Sequence, residues 1–360
     1  MRAVIALCAL SSALLACRRC EKPAPPAGPS EHLARFAVGG KWGVVDGTGS
    51  VLVEARFDQL EDFSEGLAVA RVGDENSGRY GYVDRSGRWV IEPKLLRARA
   101  FSEGLAPAAD ESRRFGYLSP DGRWVIAPSF ENAERFSEGT APAKQGRWGY
   151  LDKTGAWKIA PKFADAEPFT EGRAAVRVES WGYIDGSGAW VVEPRFQDAR
   201  AFAEGRAAVY SHVSSPFFGR TTCSYVGLGG RQASLLVDEG LRCDRFHESR
   251  AAVQDPKSRA WGFFAPSGKW QISPRFSDAG RFSEGLAPVR DEARGLWGFI
   301  DASGNFRIDP RFEAAREFVA SAAAVKENGK WGLLGRDGSW RVAPRFDELH
   351  ALAPQRRVEP

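Results

Sequence analysis

Apolar and polar positions in this chain alternate in short runs, and the runs return in the same order along its length. Trp181-Gly182-Tyr183-Ile184-Asp185 and Trp190-Val191-Val192 are rich in aromatic and β-branched residues, which suit extended strands. Asp185-Gly186-Ser187-Gly188 lies between them, matched by Asp84-Arg85-Ser86-Gly87, Asp152-Lys153-Thr154-Gly155 and Asp301-Ala302-Ser303-Gly304. Aspartate first and glycine fourth favour a type I turn, so the two runs predict a hairpin. Arg173-Ala174-Ala175-Val176-Arg177-Val178 precedes that hairpin and predicts a third strand. Pro194 and its equivalents Pro93, Pro128, Pro161, Pro274, Pro310 and Pro344 are expected to close the second hairpin strand, since proline cannot donate to a ladder.

The pattern keeps a ruler. In eight copies fifteen residues separate the position of Trp181 from that of Phe196, as between Trp42 and Phe57 or Trp331 and Phe346. Six residues further comes a second hydrophobe, usually opening Phe-Ser-Glu-Gly. Six of the twelve tryptophans occupy the first column (Trp42, Trp148, Trp181, Trp261, Trp297, Trp331), and the rest lie nine residues after such a position (Trp89, Trp124, Trp157, Trp190, Trp270, Trp340). A residue used only in register with a repeat is core mortar, so the chain reads as a tandem array. Neither face of Trp-Gly-Tyr-Ile is polar, so each sheet is expected to pack on its neighbours, with the glycine where a backbone or ring approaches. A ninth, degenerate copy fits the ruler with Tyr225 at the aromatic position and Phe246 twenty-one residues later. The expected fold is all-β: about nine three-stranded antiparallel units over residues 32–360, in a propeller-like ring or an open solenoid.

The order Trp-Gly-Tyr-Ile-Asp, Gly-x-Trp, Pro-Arg-Phe, Phe-Ser-Glu-Gly resembles the bacterial WG-repeat family (WG-containing, or KWG, repeats) across nearly all of residues 32–352. The resemblance implies a β-rich array and no established reaction, cofactor or catalytic residue.

Residues 1–16 are not part of the array. A short apolar stretch ending in Leu14-Leu15-Ala16-Cys17 resembles a lipoprotein signal, with Cys17 as the lipidated residue. The stretch is too short for a comfortable transmembrane helix. The proline-rich segment within 17–31 then reads as a tether. This predicts a bacterial envelope protein held to a membrane by its N-terminal lipid. An exported location permits a disulfide between Cys223 and Cys243, the two cysteines of the degenerate copy at 203–250, with two thiols as the alternative.

Chemistry is sparse. His32, His212, His247 and His350 have no metal-type spacing, so no metal site is expected. The serine of Phe-Ser-Glu-Gly recurs at Ser64, Ser102, Ser137 and Ser283, which suits a turn or cap and not a nucleophile. No catalytic residue and no cofactor is expected. The glutamate column (Glu65, Glu103, Glu138, Glu171, Glu204, Glu284) and the basic column (Arg56, Lys94, Lys162, Arg195, Arg275, Arg311, Arg345) read as ladders of surface ion pairs, or as a glycan or peptide groove. A formal charge of +4, from 50 basic and 46 acidic side chains, is too small and too mixed to predict nucleic-acid binding. The expected function is a non-catalytic scaffold that binds an envelope protein or glycan. Its ligand-binding candidates are His212, Phe217 and Phe218 on a loop in the degenerate copy, because binding usually lives on loops of a rigid scaffold. An envelope enzyme with its site in 203–250 is the alternative.

Overall fold

The computed structural model describes residues 32–214, 219–230, 232–237 and 243–350, and among these every regular element is a β-strand. One repeat shows the plan. Strands Asp165–Ala166, Ala174–Arg177, Trp181–Ile184 and Trp190–Phe196, here a, b, c and d, form one antiparallel sheet in that order. The expected three strands were b, c and d. Strand a was missed because its ladder is only two residues long, too short to show any alternation.

Hydrogen bonding divides the described residues into seven four-stranded sheets and one of six strands. The six-stranded sheet is two repeats joined: Trp270–Ala279 pairs with Trp261–Phe264 through its first part and with Ala287–Asp291 through its last. Counted by repeat, the described residues hold nine blades. Their c strands are Lys41–Asp46 (blade I), Arg79–Val83 (II), Phe115–Leu118 (III), Arg147–Leu151 (IV), Trp181–Ile184 (V), Gly219–Gly227 (VI), Trp261–Phe264 (VII), Trp297–Ile300 (VIII) and Lys330–Gly335 (IX).

Blade I takes its a strand from the far end of the chain. Glu348–Leu349 pairs with Ala37 and Phe36, and the amides of Asp347 and His350 donate to the carbonyls of Ala37 and Arg35. The array is therefore a closed β-propeller and not an open solenoid.

Blades lock through aromatic columns. The most buried aromatics are not the tryptophans but the residues two positions on: Tyr82, Tyr117, Tyr150, Tyr183, Tyr225, Phe263 and Phe299 are all inaccessible to water. Each packs on a phenylalanine of the next blade, as Tyr183 on Phe202 at 5.0 Å and Phe299 on Phe318 at 4.8 Å. The tyrosine hydroxyls also cross the interface, Tyr150 donating to the Glu167 carbonyl at 2.8 Å and Tyr183 to that of Arg200 at 2.8 Å. In the first tryptophan column only Trp148 is fully buried; Trp42, Trp181, Trp261, Trp297 and Trp331 are half-buried at the interface margins. In the second column Trp89, Trp157, Trp190 and Trp340 meet the preceding blade edge-on, as Trp190 does Phe163 at 6.1 Å, while Trp270 lies on Phe264 of its own blade.

Strand d runs through its proline to Phe196. Trp181 faces Phe196 while Tyr183 faces Val192, so three residues on strand d stand against Gly182 alone. The bulge absorbs the missing proline N–H and arches over Gly182, where a Cβ would lie 2.5 Å from the Val192 carbonyl oxygen and 2.9 Å from the Trp190 ring. That contact explains the glycine of Trp-Gly.

The two charged columns do not pair with each other. Ser-Glu-Gly-Leu is a two-residue hairpin turn with Glu65 at φ 53° and Gly66 at φ 83°, the type I′ arrangement. A glutamate bears the left-handed conformation because its carboxylate accepts the turn amide of the next blade: Glu65 from Gly104 at 2.9 Å, Glu138 from Gly172 at 3.0 Å, Glu171 from Gly205 at 2.9 Å. The turn serines complete the clasp, Ser64 Oγ donating to the Phe101 carbonyl at 2.7 Å. In the basic column Arg311 and Arg345 donate to the turn carbonyls of Gly338 and Gly49 on the following blade, at 3.0 and 2.7 Å. The glutamates and, in the basic column, Arg56, Arg275, Arg311 and Arg345 are interblade latches.

Blade VI departs as the sequence suggests, but differently in detail. Tyr225 stands opposite Ala208 as Tyr183 stands opposite Ala175, so it belongs to the buried tyrosine column. Cys223 takes the tryptophan position, opposite Tyr210. A two-residue insertion before Phe246 hides this offset from the ruler. Cys223 and Cys243 form a disulfide with Cα atoms 6.4 Å apart. Cys243 stands where the regular blades have the strand a alanine, as Ala199, which packs with Trp181 in the adjoining interface. A covalent staple between blades VI and VII thus replaces a tryptophan–alanine contact, and a link closing a loop of this size contributes about 3 kcal/mol.

The bulge account makes a paired prediction. Gly182→Ala should destabilise the fold by about 2 kcal/mol through overpacking, whereas Gly186→Ala, with open space around its Cβ, should leave melting unchanged. Equal melting of the two variants would refute the role given to the bulge.

Candidate functional site

Strand a is the edge at which the blades converge. Immediately before the second hydrophobe of each repeat, Phe in blades II to IX and Leu352 in blade I, come two positions that the repeat leaves variable. The first of them carries His350, Glu61, Arg99, Glu134, Glu167, Arg200, Asp244, Gly280 and Arg316 in blades I to IX. Packing constrains the neighbours of this column tightly, yet the column itself changes charge from blade to blade.

Two clefts open on it. One, about 540 Å³, is lined by Arg35 of blade I, Glu61 and Asp62 of blade II, Ala100 of blade III and Arg135 of blade IV. The other, about 320 Å³, is lined by Arg200, Asp244, Arg245 and Arg281 of blades VI to VIII. Only the converging edges of a ring bring three or four successive blades to one cleft. A larger cleft of about 650 Å³ lies beside Trp181; of its charges Arg177 pairs with Asp165 at 3.5 Å and Asp198 with Arg200 at 2.9 Å, and Glu179 and Arg195 also line it.

The electrostatics of the ring are unusual for a repeat surface. Desolvation by the surrounding blades, the dominant cause, raises the carboxyl pKa of Glu61, Glu134 and Glu167. Water reaches the Glu167 side chain all the same, the combination expected of a group lining a wet channel. Glu134 has an ion pair with Arg99 at 2.8 Å. Among the described residues Glu61 and Glu167 make no side-chain hydrogen bond or ion pair, although charges two blades away, Arg135 and Arg245, act on them through space. At the seam, burial and then Arg35 push His350 down to about 4, so it is neutral at physiological pH. Arg35 contacts His350 Nδ1 at the seam at 3.2 Å and pairs with Asp62 of blade II at 2.6 Å.

Of the ligand-binding candidates expected from sequence, His212 is the one among the described residues. His212 belongs to a strand and not a loop: Arg206–Ser214 and Gly219–Gly227 form one extended hairpin in which His212 faces Thr221. Insertion has lengthened the hairpin ladder. Phe217, Phe218 and Cys17 lie outside the described residues. The ring was overlooked because its signal is variability at a fixed repeat position, which a search for recurring residues discards.

A model of the WG containing repeat matches residues 42–75, 80–109, 115–147, 148–180, 181–210, 261–292 and 297–331, more than half of the chain. The chain belongs to the WG-containing repeat family. No curated protein matches this WG-repeat chain. Among solved structures, a eukaryotic initiation factor is similar at TM-score 0.46 and 10% identity, over 86% of this chain and 83% of that one. Apo AztD from Citrobacter koseri is similar at TM-score 0.38 and 13% identity, over 88% and 96%. An acylaminoacyl peptidase from Pyrococcus horikoshii is similar at TM-score 0.40 and 12% identity, over 80% and 52%. The propeller assignment of this WG-repeat protein stands on its own strand pairing and ring closure.

A carboxyl whose folded-state pKa is raised penalises the fold when ionised. The penalty is complete above the folded pKa and vanishes below the unfolded one. Glu167→Gln should therefore raise the melting temperature of the WG propeller at pH 7, and the gain should disappear by about pH 4, near the ordinary glutamate pKa. A gain that persists below that pH would contradict the electrostatic cause.

Proposed function

We propose that this WG-repeat propeller is a non-catalytic binding scaffold of the bacterial envelope, anchored through a lipid on Cys17 and meeting its partner, an envelope protein or glycan, with the inner charged ring. One observation carries the reading. Glu61, Glu134 and Glu167 sit where burial makes ionisation costly, in a fold whose other repeated positions serve packing or latching. Groups kept against stability are the ones a fold retains for interaction. Leu14-Leu15-Ala16-Cys17 supports the anchor.

The test screens the full chain against peptidoglycan fragments, polysaccharides and envelope extract. Saturable binding without turnover, lost when Glu134 and Glu167 are both changed to Gln while melting holds or rises, is the expected result. Cys17→Ala should abolish fatty-acid labelling and release the protein from the membrane fraction. Turnover of a bound compound, or binding indifferent to the ring changes, would overturn the scaffold reading; labelling that survives Cys17→Ala would overturn the anchor.

A further inference from the structure

The cleft shared by blades I to IV contains two opposite charges that the protein leaves apart. Glu61 lies on blade II and Arg135 on blade IV, and neither side chain has a hydrogen bond or an ion pair among the described residues. The remaining charges of the cleft, Arg35 and Asp62, satisfy each other at 2.6 Å. Gln59 also lines the cleft; its Oε1 accepts from the Tyr80 hydroxyl at 3.3 Å, leaving its amide nitrogen able to donate to a ligand. Ala100, from the intervening blade, supplies no charge at all.

Such an arrangement excludes simple ligands. An anion would satisfy Arg135 and confront Glu61 and Asp62; a cation would do the reverse. With two basic and two acidic side chains the cleft is balanced, and a neutral apolar ligand would leave both free charges desolvated, which is costly. A ligand carrying an ammonium and a carboxylate at separate ends neutralises both. The volume of about 540 Å³ falls in the range of small-ligand sites.

We infer that this cleft binds a short peptide with free termini, Glu61 receiving the terminal ammonium and Arg135 the terminal carboxylate. This rests on the scaffold reading and narrows it to a ligand class. The guanidinium donates two parallel N–H bonds to the carboxylate, and the Glu61 carboxylate accepts from the ammonium; both are charge-assisted contacts, stronger than neutral ones. Gln59 donates to a peptide carbonyl between them. Binding is reversible and moves no covalent bond.

Trialanine is the probe, titrated calorimetrically into the full chain, with acetylated and amidated trialanine as the capped comparison. Wild type should bind free trialanine at least about tenfold more tightly than the capped peptide. Glu61→Gln and Arg135→Gln should each reduce that preference, and the double variant should abolish it. Glu193→Gln, an exposed change on an outer strand, should leave it intact. Melting curves establish that each variant is folded, and Arg135→Lys, which keeps the charge, should restore part of the binding. Equal affinity for free and capped trialanine, no saturable binding of trialanine at millimolar concentration, or full preference in the double variant would each overturn the inference. If trialanine fails while ring variants still lose an envelope ligand, the peptide site falls and the scaffold stands. If neither probe depends on the ring, both fall.

Discussion

A single repeat of this chain has no face to spare for water, and that constraint organises the molecule. Both sides of each small sheet are apolar, so a blade is stable only between two others. The contact that meets the demand in blades II to VIII is the tyrosine or phenylalanine of strand c against the phenylalanine that begins the next blade's clasp turn, held between 4.8 and 5.0 Å, with buried Val44 and Leu333 at that position in blades I and IX. Burial of such rings is worth a few kcal/mol each, and the tyrosine hydroxyl adds an oriented bond to the neighbour's backbone. The glycine of Trp-Gly, the proline bulge and the left-handed glutamate all follow, because each lets one backbone approach or clasp the next.

Where the chain departs from its rule, it compensates locally. Blade VI has no tryptophan at its c-strand margin and replaces the missing contact with the Cys223–Cys243 bond to blade VII. Blade I takes its a strand, Glu348–Leu349, from the other end of the array. The inner ring is different in kind. Glu61 and Glu167 make no side-chain hydrogen bond or ion pair among the described residues, and burial raises their carboxyl pKa, so ionising them costs the fold stability.

Much of the architecture was legible in the residues. Tryptophan register, the Asp-x-Ser-Gly turns and the alternation of apolar positions gave nine repeats and strands b, c and d, because those features recur and are long enough to show a period. Closure was not legible: it depends on two residues, Glu348 and Leu349, pairing with a strand more than three hundred positions earlier. Nor was the role of Glu65 and its equivalents, since a carboxylate on a backbone amide leaves no partner residue type in the sequence. The fixed ruler misled at Tyr225, where an insertion restored the expected count while shifting the register. The candidate site was the least legible part, for it consists of positions that fail to repeat.

Ring closure is the claim on which the rest stands. A chain ending at Phe346 keeps every blade's b–c hairpin but lacks the strand that pairs with Phe36 and Ala37. Blades I and IX would then each present an unburied apolar face. Thermal unfolding of this truncated chain, compared with the full chain, is the most direct measurement: the account predicts a markedly lower midpoint and a broader, less cooperative transition. An unchanged midpoint and sharpness would mean that the blades do not depend on a closed ring.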